Sequence, residues 1–162
     1  MYICAIVSFT GYFDFLSNFY ECNIHWEGKD WPSVEHAYQS AKTSDLEKRE
    51  EIRKAKSPAI AKKLGRKLQV NENWEAIKEE VMNDLLYLKF SDHPLLRNKL
   101  LETEPAVLIE GNNWGDRYWG AEQVSPGVWE GKNKLGILLM RQRQYWIEPK
   151  DLTFGLGRKN KC

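Results

Sequence analysis

Apolar and polar positions alternate with two different periods along the chain. Residues 3–9, ICAIVSF, form a nearly continuous apolar run bounded by turn residues, which predicts a buried strand. Residues 10–21, TGYFDFLSNFYE, lose that regularity and read as an aromatic loop. CNIHWEGKDW then alternates on either side of EGKD, the signature of a β-hairpin. Beyond it the period lengthens to that of a helix. Ser33 is placed to cap a helix starting at Val34, with Pro32 just outside. Ser44 and Glu47 fit a capping box for a second helix. Ser57 followed by Pro58 opens a third, which Gly65 stops. Residues 74–90 carry the clearest helical pattern, with Trp74, Ile77, Val81, Leu85 and Leu88 on one stripe and charges elsewhere. His93 and Pro94 open a further helix ending near Glu102, and AVLI at 106–109 reads as a short buried strand. Residues 111–133, GNNWGDRYWGAEQVSPGVWEGKN, show no clear period and read as a long loop. Asn133 stands where it can cap a last helix, LGILLMRQRQYW. The expected fold is α+β and predominantly helical: one compact domain over residues 1–146, a small sheet or hairpin near the N-terminus, and a loose tail over 147–162.

Composition narrows the function classes. A chain of 162 residues suits a single domain with a hydrophobic core. A formal net charge of +1 gives no global attraction to nucleic acid or to a membrane surface. No apolar run is long enough to span a bilayer, and the opening MYICAIVSF is short and lacks a basic lead-in, so a strand is expected there rather than a signal peptide. Cys4, Cys22 and Cys162 show no metal-ligand spacing, and their odd number argues against a disulfide framework. A reducing, cytoplasmic setting is therefore expected.

The chain holds seven tryptophans. Trp26, Trp31, Trp114, Trp119 and Trp129 lie in loop-like surroundings near Gly, Asn or Asp. There a flat apolar surface stands beside polar groups and suits a ring-shaped ligand. For any single one, core filling is the commoner role. A loop as long as 111–133 in a compact domain is usually functional or disordered, and its three tryptophans argue against disorder.

A second candidate site lies in WPSVEHAYQSAK, residues 31–42. On a helix, Val34, Ala37, Tyr38 and Ala41 fall on the core face, while Glu35, Gln39 and Lys42 form a stripe along its edge. Glu35 and Lys42 are about two turns apart. They do not make the usual i,i+4 pair, but they can converge on something between them with Gln39 beside it. The helix dipole and a nearby ammonium favour an ionised Glu35, against the desolvation that would raise its pKa. An ionised carboxylate can act as a base or stabilise positive charge on a sugar ring. A desolvated lysine can attack the C1 of an opened sugar. The plainer reading is a dipole-favoured Glu35, a solvated Lys42 and an interior His36.

Residues 13–42, FDFLSNFYECNIHWEGKDWPSVEHAYQSAK, closely resemble the opening motif of the NADAR (NAD and ADP-ribose), or YbiA-like, superfamily. The resemblance continues in order through LKF at 88–90, LLETEPAVLIEGN, WGDRYWG at 114–120 and GKNKLGILLMRQR at 131–143, covering about residues 9–146. It implies a compact, mostly helical fold and a metal-independent, cofactor-free N-glycosidase acting on ribosylated bases. One branch of the family takes phosphoribosylated intermediates of riboflavin biosynthesis. Another removes ADP-ribose from guanine, as nucleoside or nucleotide or in DNA, single strands included. Carried over by the resemblance, Glu35, Lys42 and Asp116 are the expected catalytic residues. Asn18, Phe19, Trp31, Gln39, Lys89, Trp114, Trp119 and Asn133 are the expected substrate contacts. Lys42 is the first candidate for a Schiff-base lysine and Lys89 its competitor. By residue chemistry alone Asp116 is equally at home in a Gly-Asp turn, and Asn133 as a plain helix cap.

Two other classes stand beside this one. A non-catalytic ADP-ribose or NAD-binding module has less need of Glu35, Lys42 and Asp116 together. A nucleic-acid binder would use the basic run at 53–67 and the basic tail, but the neighbouring acidic residues favour solvated helix faces there. No membrane partner is expected, and the leaving base and oligomeric state are not encoded legibly.

Overall fold

The computed structural model describes residues 4–147; the expected tail lies outside them from residue 148 onward. Six α-helices are present among the described residues, together with short strands in three small sheets. The α+β, mainly helical reading holds.

The strand expected over 3–9 pairs only at Ala5–Ile6 (β1), parallel to Val107–Leu108 (β4). The aromatic segment after it winds into a 3-10 helix, Gly11–Leu16, which buries Phe15 and Leu16. The hairpin forms as expected from Ile24–Trp26 (β2) and Lys29–Trp31 (β3). Its two turn residues, Glu27 and Gly28, both take positive φ (52° and 71°), as a two-residue hairpin turn requires.

Helix α1, Val34–Ser40, starts where Ser33 Oγ accepts the His36 amide, and all seven of its residues are buried. It packs against α2 (Leu46–Arg53), α3 (Pro58–Gly65) and α4 (Trp74–Asp92). The start of α2 differs from the expected capping box. Asp45, not Ser44, is the cap: its carboxylate accepts the Glu47 and Lys48 amides at 3.0 and 3.1 Å. A charged acceptor next to two free amides at the positive helix end outcompetes a hydroxyl one residue earlier. α3 follows the Ser57–Pro58 signal, with Ser57 Oγ accepting the Ile60 amide.

Helix α4 buries Trp74 and Leu85 as its stripe predicts. Its fully buried line, however, runs through Met82, Leu85, Leu86, Lys89 and Phe90, while Ile77, Val81 and Leu88 are only partly covered. The helix is flanked by α1, β2, α6 (Lys134–Ile147) and α5 (Pro94–Leu101), so more than one face is covered.

The stretch 111–133 is not a featureless loop. Gly111–Asn112 (β5), Ala121–Ser125 (β6) and Val128–Glu130 (β7) form a three-stranded sheet, with β5 parallel and β7 antiparallel to β6. These strands are too short and too polar to show a period of two. Asn133 is not a side-chain cap either. It sits at φ 45°, donates to Leu108 O at 2.8 Å and accepts the Glu110 amide at 3.0 Å, tying the start of α6 to the end of β4.

Candidate active site

A cavity of about 150 Å³ lies over the edge stripe of α1. Four chain segments build it. The loop after the 3-10 helix gives Asn18 and Phe19, and α1 with the residues after it gives Glu35, Tyr38, Gln39 and Lys42. α3 and its end give Lys62 and Arg66. Glu110, Asp116 and Trp119 come from the segment after β4, and Met82 of α4 closes the floor. Glu35, Lys42 and Asp116 thus face one space, and the 111–133 segment closes over α1.

Helix α1 comes close to α3 because residue 65 has no side chain. A Cβ there would stand 1.9 Å from Gln39 Oε1 and 2.9 Å from Gln39 Cβ. Gln39 lies flat in that gap and donates from Nε2 to Glu35 Oε1 at 2.7 Å. The Glu35 amide donates to Asn18 O at 3.0 Å, fixing the preceding loop to the first turn of α1.

Electrostatics depart from the sequence expectation. Glu35 is 5% exposed, and burial pushes its carboxyl above the usual range; the Gln39 hydrogen bond and the Lys62, Lys42 and Arg66 charges pull against this without cancelling it. Desolvation therefore outweighs the dipole and the lysine that were expected to hold Glu35 low. Lys42 moves the opposite way: burial lowers its pKa, Glu35 opposes, and Lys62 and Arg66 add to the fall. Its Nζ stands 5.6 Å from the centre of the Tyr38 ring. Glu110 is pushed up to about 7 by burial and by the nearby Asp116. The cavity thus opposes two carboxyls biased toward holding a proton to an amine biased toward losing one.

Asp116 does turn chemistry and lines the cavity as well. Its Oδ1 accepts the Tyr118 and Trp119 amides at 3.1 and 2.9 Å, which fixes the carboxylate's orientation. Trp119 meets Tyr38 edge-on, with ring centres 5.5 Å apart, and forms the aromatic wall. Asn18 is 8% exposed and its Oδ1 has no hydrogen-bond partner, an uncommon state for a buried carbonyl oxygen.

Of the expected substrate contacts, Asn18, Phe19, Gln39 and Trp119 line the cavity and four do not. Trp31 is core, 2% exposed, its indole N–H donating to Trp26 O. Burial of its cross-strand position leaves it no face for a ligand. Lys89 is fully buried away from the cavity, donating to Ser17 O at 2.9 Å, and burial lowers its pKa to about 8. Asn133 is spent on the β4–α6 tie. Trp114 is 64% exposed and lies in a neighbouring groove.

Tyr38, Lys62, Arg66, Met82 and Glu110 are additional lining residues. Lys62 and Arg66 belong to the basic run read as a solvated face; their four-residue spacing on one side of α3 was the available signal. Tyr38, on the core face of α1, joins the core and lines the cavity as well.

The cavity alone is below the range of about 300–1,000 Å³ usual for whole small-molecule sites, and matches a part of a ligand such as a sugar ring. It shares Phe19, Lys62 and Glu110 with a neighbouring groove of about 1230 Å³ walled by residues 7–21 and the β5–β6–β7 sheet.

Carboxyl groups facing an amine in a sugar-sized, aromatic-walled cavity have the parts of a glycosidase site. The NADAR domain model matches residues 9–145, and the chain belongs to that family. It is 44% identical over 135 residues to the N-glycosidase YbiA of Escherichia coli, covering 82% of this chain and 81% of that protein. The NMR structure of the E. coli protein YbiA superimposes with a TM-score of 0.76 at 40% identity, over 89% of this chain and 84% of that one. A riboflavin biosynthesis protein of Vibrio vulnificus is 36% identical over 132 residues, which cover 80% of this chain but 35% of that longer protein. No helix among the described residues is long and apolar enough to cross a membrane.

Proposed function

We propose that this protein, a hydrolase of N-glycosyl bonds like its named relatives, cleaves the bond between ribose and a base in the α1 cavity. Its preferred substrate is a phosphoribosylated pyrimidine intermediate of riboflavin biosynthesis. The observation that carries the reading is the convergence of Glu35, Lys42, Asp116 and Glu110 on one sugar-sized cavity. Breaking the bond puts positive charge on the ribose ring and negative charge on the departing base. Glu110, titrating near neutrality, supplies the proton that the base takes with its bonding electrons. In its ionised form Glu35, made more basic by burial, joins Asp116 in stabilising the oxocarbenium-like ring and accepts a proton from the attacking water. In a covalent variant of the same reaction the unprotonated Lys42 amine attacks C1 and displaces the base, which leaves with the bonding electrons and the proton from Glu110; the ring C1–O bond then opens to give a Schiff base, and water hydrolyses it to the free sugar and the Lys42 amine. Trp119 and Phe19 supply aromatic faces to the substrate's rings.

A second reading is removal of ADP-ribose from guanine. The large groove beside the cavity favours it, because Trp114 and Trp129 there give a second nucleotide room and a stacking surface. A mass-spectrometric release assay separates the two. Free pyrimidine from the phosphoribosylamino substrate and none from ADP-ribosyl guanosine supports the first reading, and the reverse supports the second. A tight complex with ADP-ribose and no base from either substrate would mean a binding module.

A further inference from the structure

Lys42 stands just past the end of α1, in residues 41–45, which turn the chain into α2. That stretch, AKTSD, holds neither glycine nor proline, so it carries little turn-forming preference of its own. The helix loosens there too. The Ala41 amide still reaches Ala37 O at 3.0 Å, but the Lys42 and Thr43 amides lie 3.4 Å from Gln39 O and Ser40 O. Those distances exceed the usual N–H···O range of about 2.7–3.2 Å. The bonds that reach the turn from elsewhere in the chain come from Asn71, between α3 and α4. The Asn71 amide donates to Lys42 O at 2.8 Å, and Asn71 Oδ1 accepts the Ser44 amide at 3.2 Å. Asn71 O accepts the Trp74 amide at 3.0 Å, so the same residue also starts α4. Trp74 packs on Tyr38 with ring centres 5.1 Å apart, and Tyr38 is the ring over which Lys42 Nζ stands. One asparagine therefore ties the turn that carries the amine to the helix that supports its aromatic floor. With Thr43 and Ser44, Asn71 lines a groove of about 1020 Å³ that shares no lining residue with the α1 cavity. Any effect of Asn71 on a substrate in that cavity must pass through the turn.

We propose that Asn71 is a positioning residue for Lys42: it brackets the main chain at 42 and 44 from outside the cavity and so fixes where the amine stands inside it. This rests on the reading of the α1 cavity as the reacting site, and adds a residue distant in sequence on which that site depends. Lysine has a flexible four-carbon stem, so the place of its amine depends on where its main chain is held. A misplacement of about 1 Å can cost about 10²-fold in rate. The amine faces Glu35 of α1, Lys62 of α3, Arg66 at the end of α3 and Glu75 of α4. Burial lowers its pKa most, Lys62 and Arg66 lower it further, and Glu35 and Glu75 oppose them. Loosening the turn admits water to the amine and returns it toward the ordinary lysine value.

The test reads the amine and the turnover separately, on the full chain. Reductive methylation by formaldehyde and cyanoborohydride is followed at Lys42 by peptide mass spectrometry as a function of pH. It compares wild type, Asn71→Ala and Gln69→Ala, each confirmed folded by circular dichroism; Gln69 lines the same groove and serves as the control. The Lys42 midpoint should rise in Asn71→Ala and stay in place in Gln69→Ala. In turnover of the phosphoribosylamino pyrimidine, Asn71→Ala should lose about 10- to 100-fold in kcat with KM little changed. Asn71→Asp keeps an acceptor for the Ser44 amide and should recover most of that loss. One reading needs no variant: in wild type the Ser44 amide should exchange its hydrogen slowly, although Ser44 is exposed. Fast exchange at Ser44 overturns the proposal. So does an unmoved Lys42 midpoint or an undiminished kcat in folded Asn71→Ala, an equal loss in Gln69→Ala, or Asn71→Asp no better than Asn71→Ala. A Lys42 midpoint that moves as expected, with no base release by wild type, would sink the hydrolase reading and uphold the bracket.

Discussion

Replacing Gly65 with alanine tests how the cavity is held open. In an unconstrained helix this change stabilises by up to about 1 kcal/mol. Here the new Cβ would stand 1.9, 2.7 and 2.9 Å from Gln39 Oε1, Cδ and Cβ. The first two contacts yield if the amide swings away. The third does not, because Gln39 Cβ is fixed to α1, so α1 and α3 must separate. Overpacking of this kind costs about 1–3 kcal/mol. Swinging the amide away also breaks the 2.7 Å hydrogen bond to Glu35, a bond to an ionisable group whose loss costs about 1.5–3 kcal/mol. Against the helix gain, a net destabilisation of about 3 kcal/mol follows. At about 2–4 °C per kcal/mol for a chain of this size, calorimetry should show a melting temperature lower by about 6–12 °C. Base release should fall with it, since Glu35 loses the donor that orients it. A melting temperature unchanged or raised, with full activity, would refute the close approach of α1 and α3 as the support of the site.

Two further outcomes follow from the shifted groups. Glu110, pushed up to about 7, keeps its proton in the folded state while the unfolded chain releases it near the ordinary carboxyl pKa. Stability should therefore fall as pH rises from about 4.5 to 7, and Glu110→Gln should flatten that fall in denaturant titrations. If Glu110 is the acid, kcat/KM should decline above about pH 7, and Glu110→Gln should lose that limb and about 10²–10⁴ in rate. Lys89, lowered to about 8, binds its proton less well folded than unfolded, so stability should rise between about pH 8 and 10.5. Because Lys89 lies outside the cavity, Lys89→Met should keep base release. Any adduct trapped by borohydride should map to Lys42 by peptide mass spectrometry; an adduct lost in Lys89→Met alone would reverse that assignment.

The elements legible in the sequence are those whose causes are local. Ser33 and Ser57 reach amides three residues on, and the EGKD turn sets its own hairpin, so α1, α3 and β2–β3 appear where the pattern puts them. The edge stripe of Glu35, Gln39 and Lys42 was also readable, because helical spacing alone puts them on one side. What was not legible depends on partners distant in the chain. β5, β6 and β7 are two to five residues long and are held by pairing rather than by their own composition. Trp31 and Lys89 stand in sequence motifs beside the site but point into the core, a consequence of how the hairpin and α4 pack. Lys62 and Arg66 look like a solvated face until Gly65 lets α3 close on α1. Glu110 looks like the end of a strand until Asp116 and burial give it a perturbed proton.

On the proposed mechanism one cavity, built by Glu35, Lys42 and Asp116 from segments far apart in the chain, cuts the ribosyl-base bond. The most direct measurement follows base release by mass spectrometry from the phosphoribosylamino pyrimidine. It compares wild type, Glu35→Gln, Lys42→Ala and Asp116→Asn, each confirmed folded by circular dichroism. Wild type should release the base, with a loss of about 10²-fold or more in Glu35→Gln and Asp116→Asn, the scale of removing one stabilising group from a transition state. Lys42→Ala should lose at least as much if the amine forms the covalent intermediate. Undiminished release from all three folded variants would move the chemistry out of this cavity.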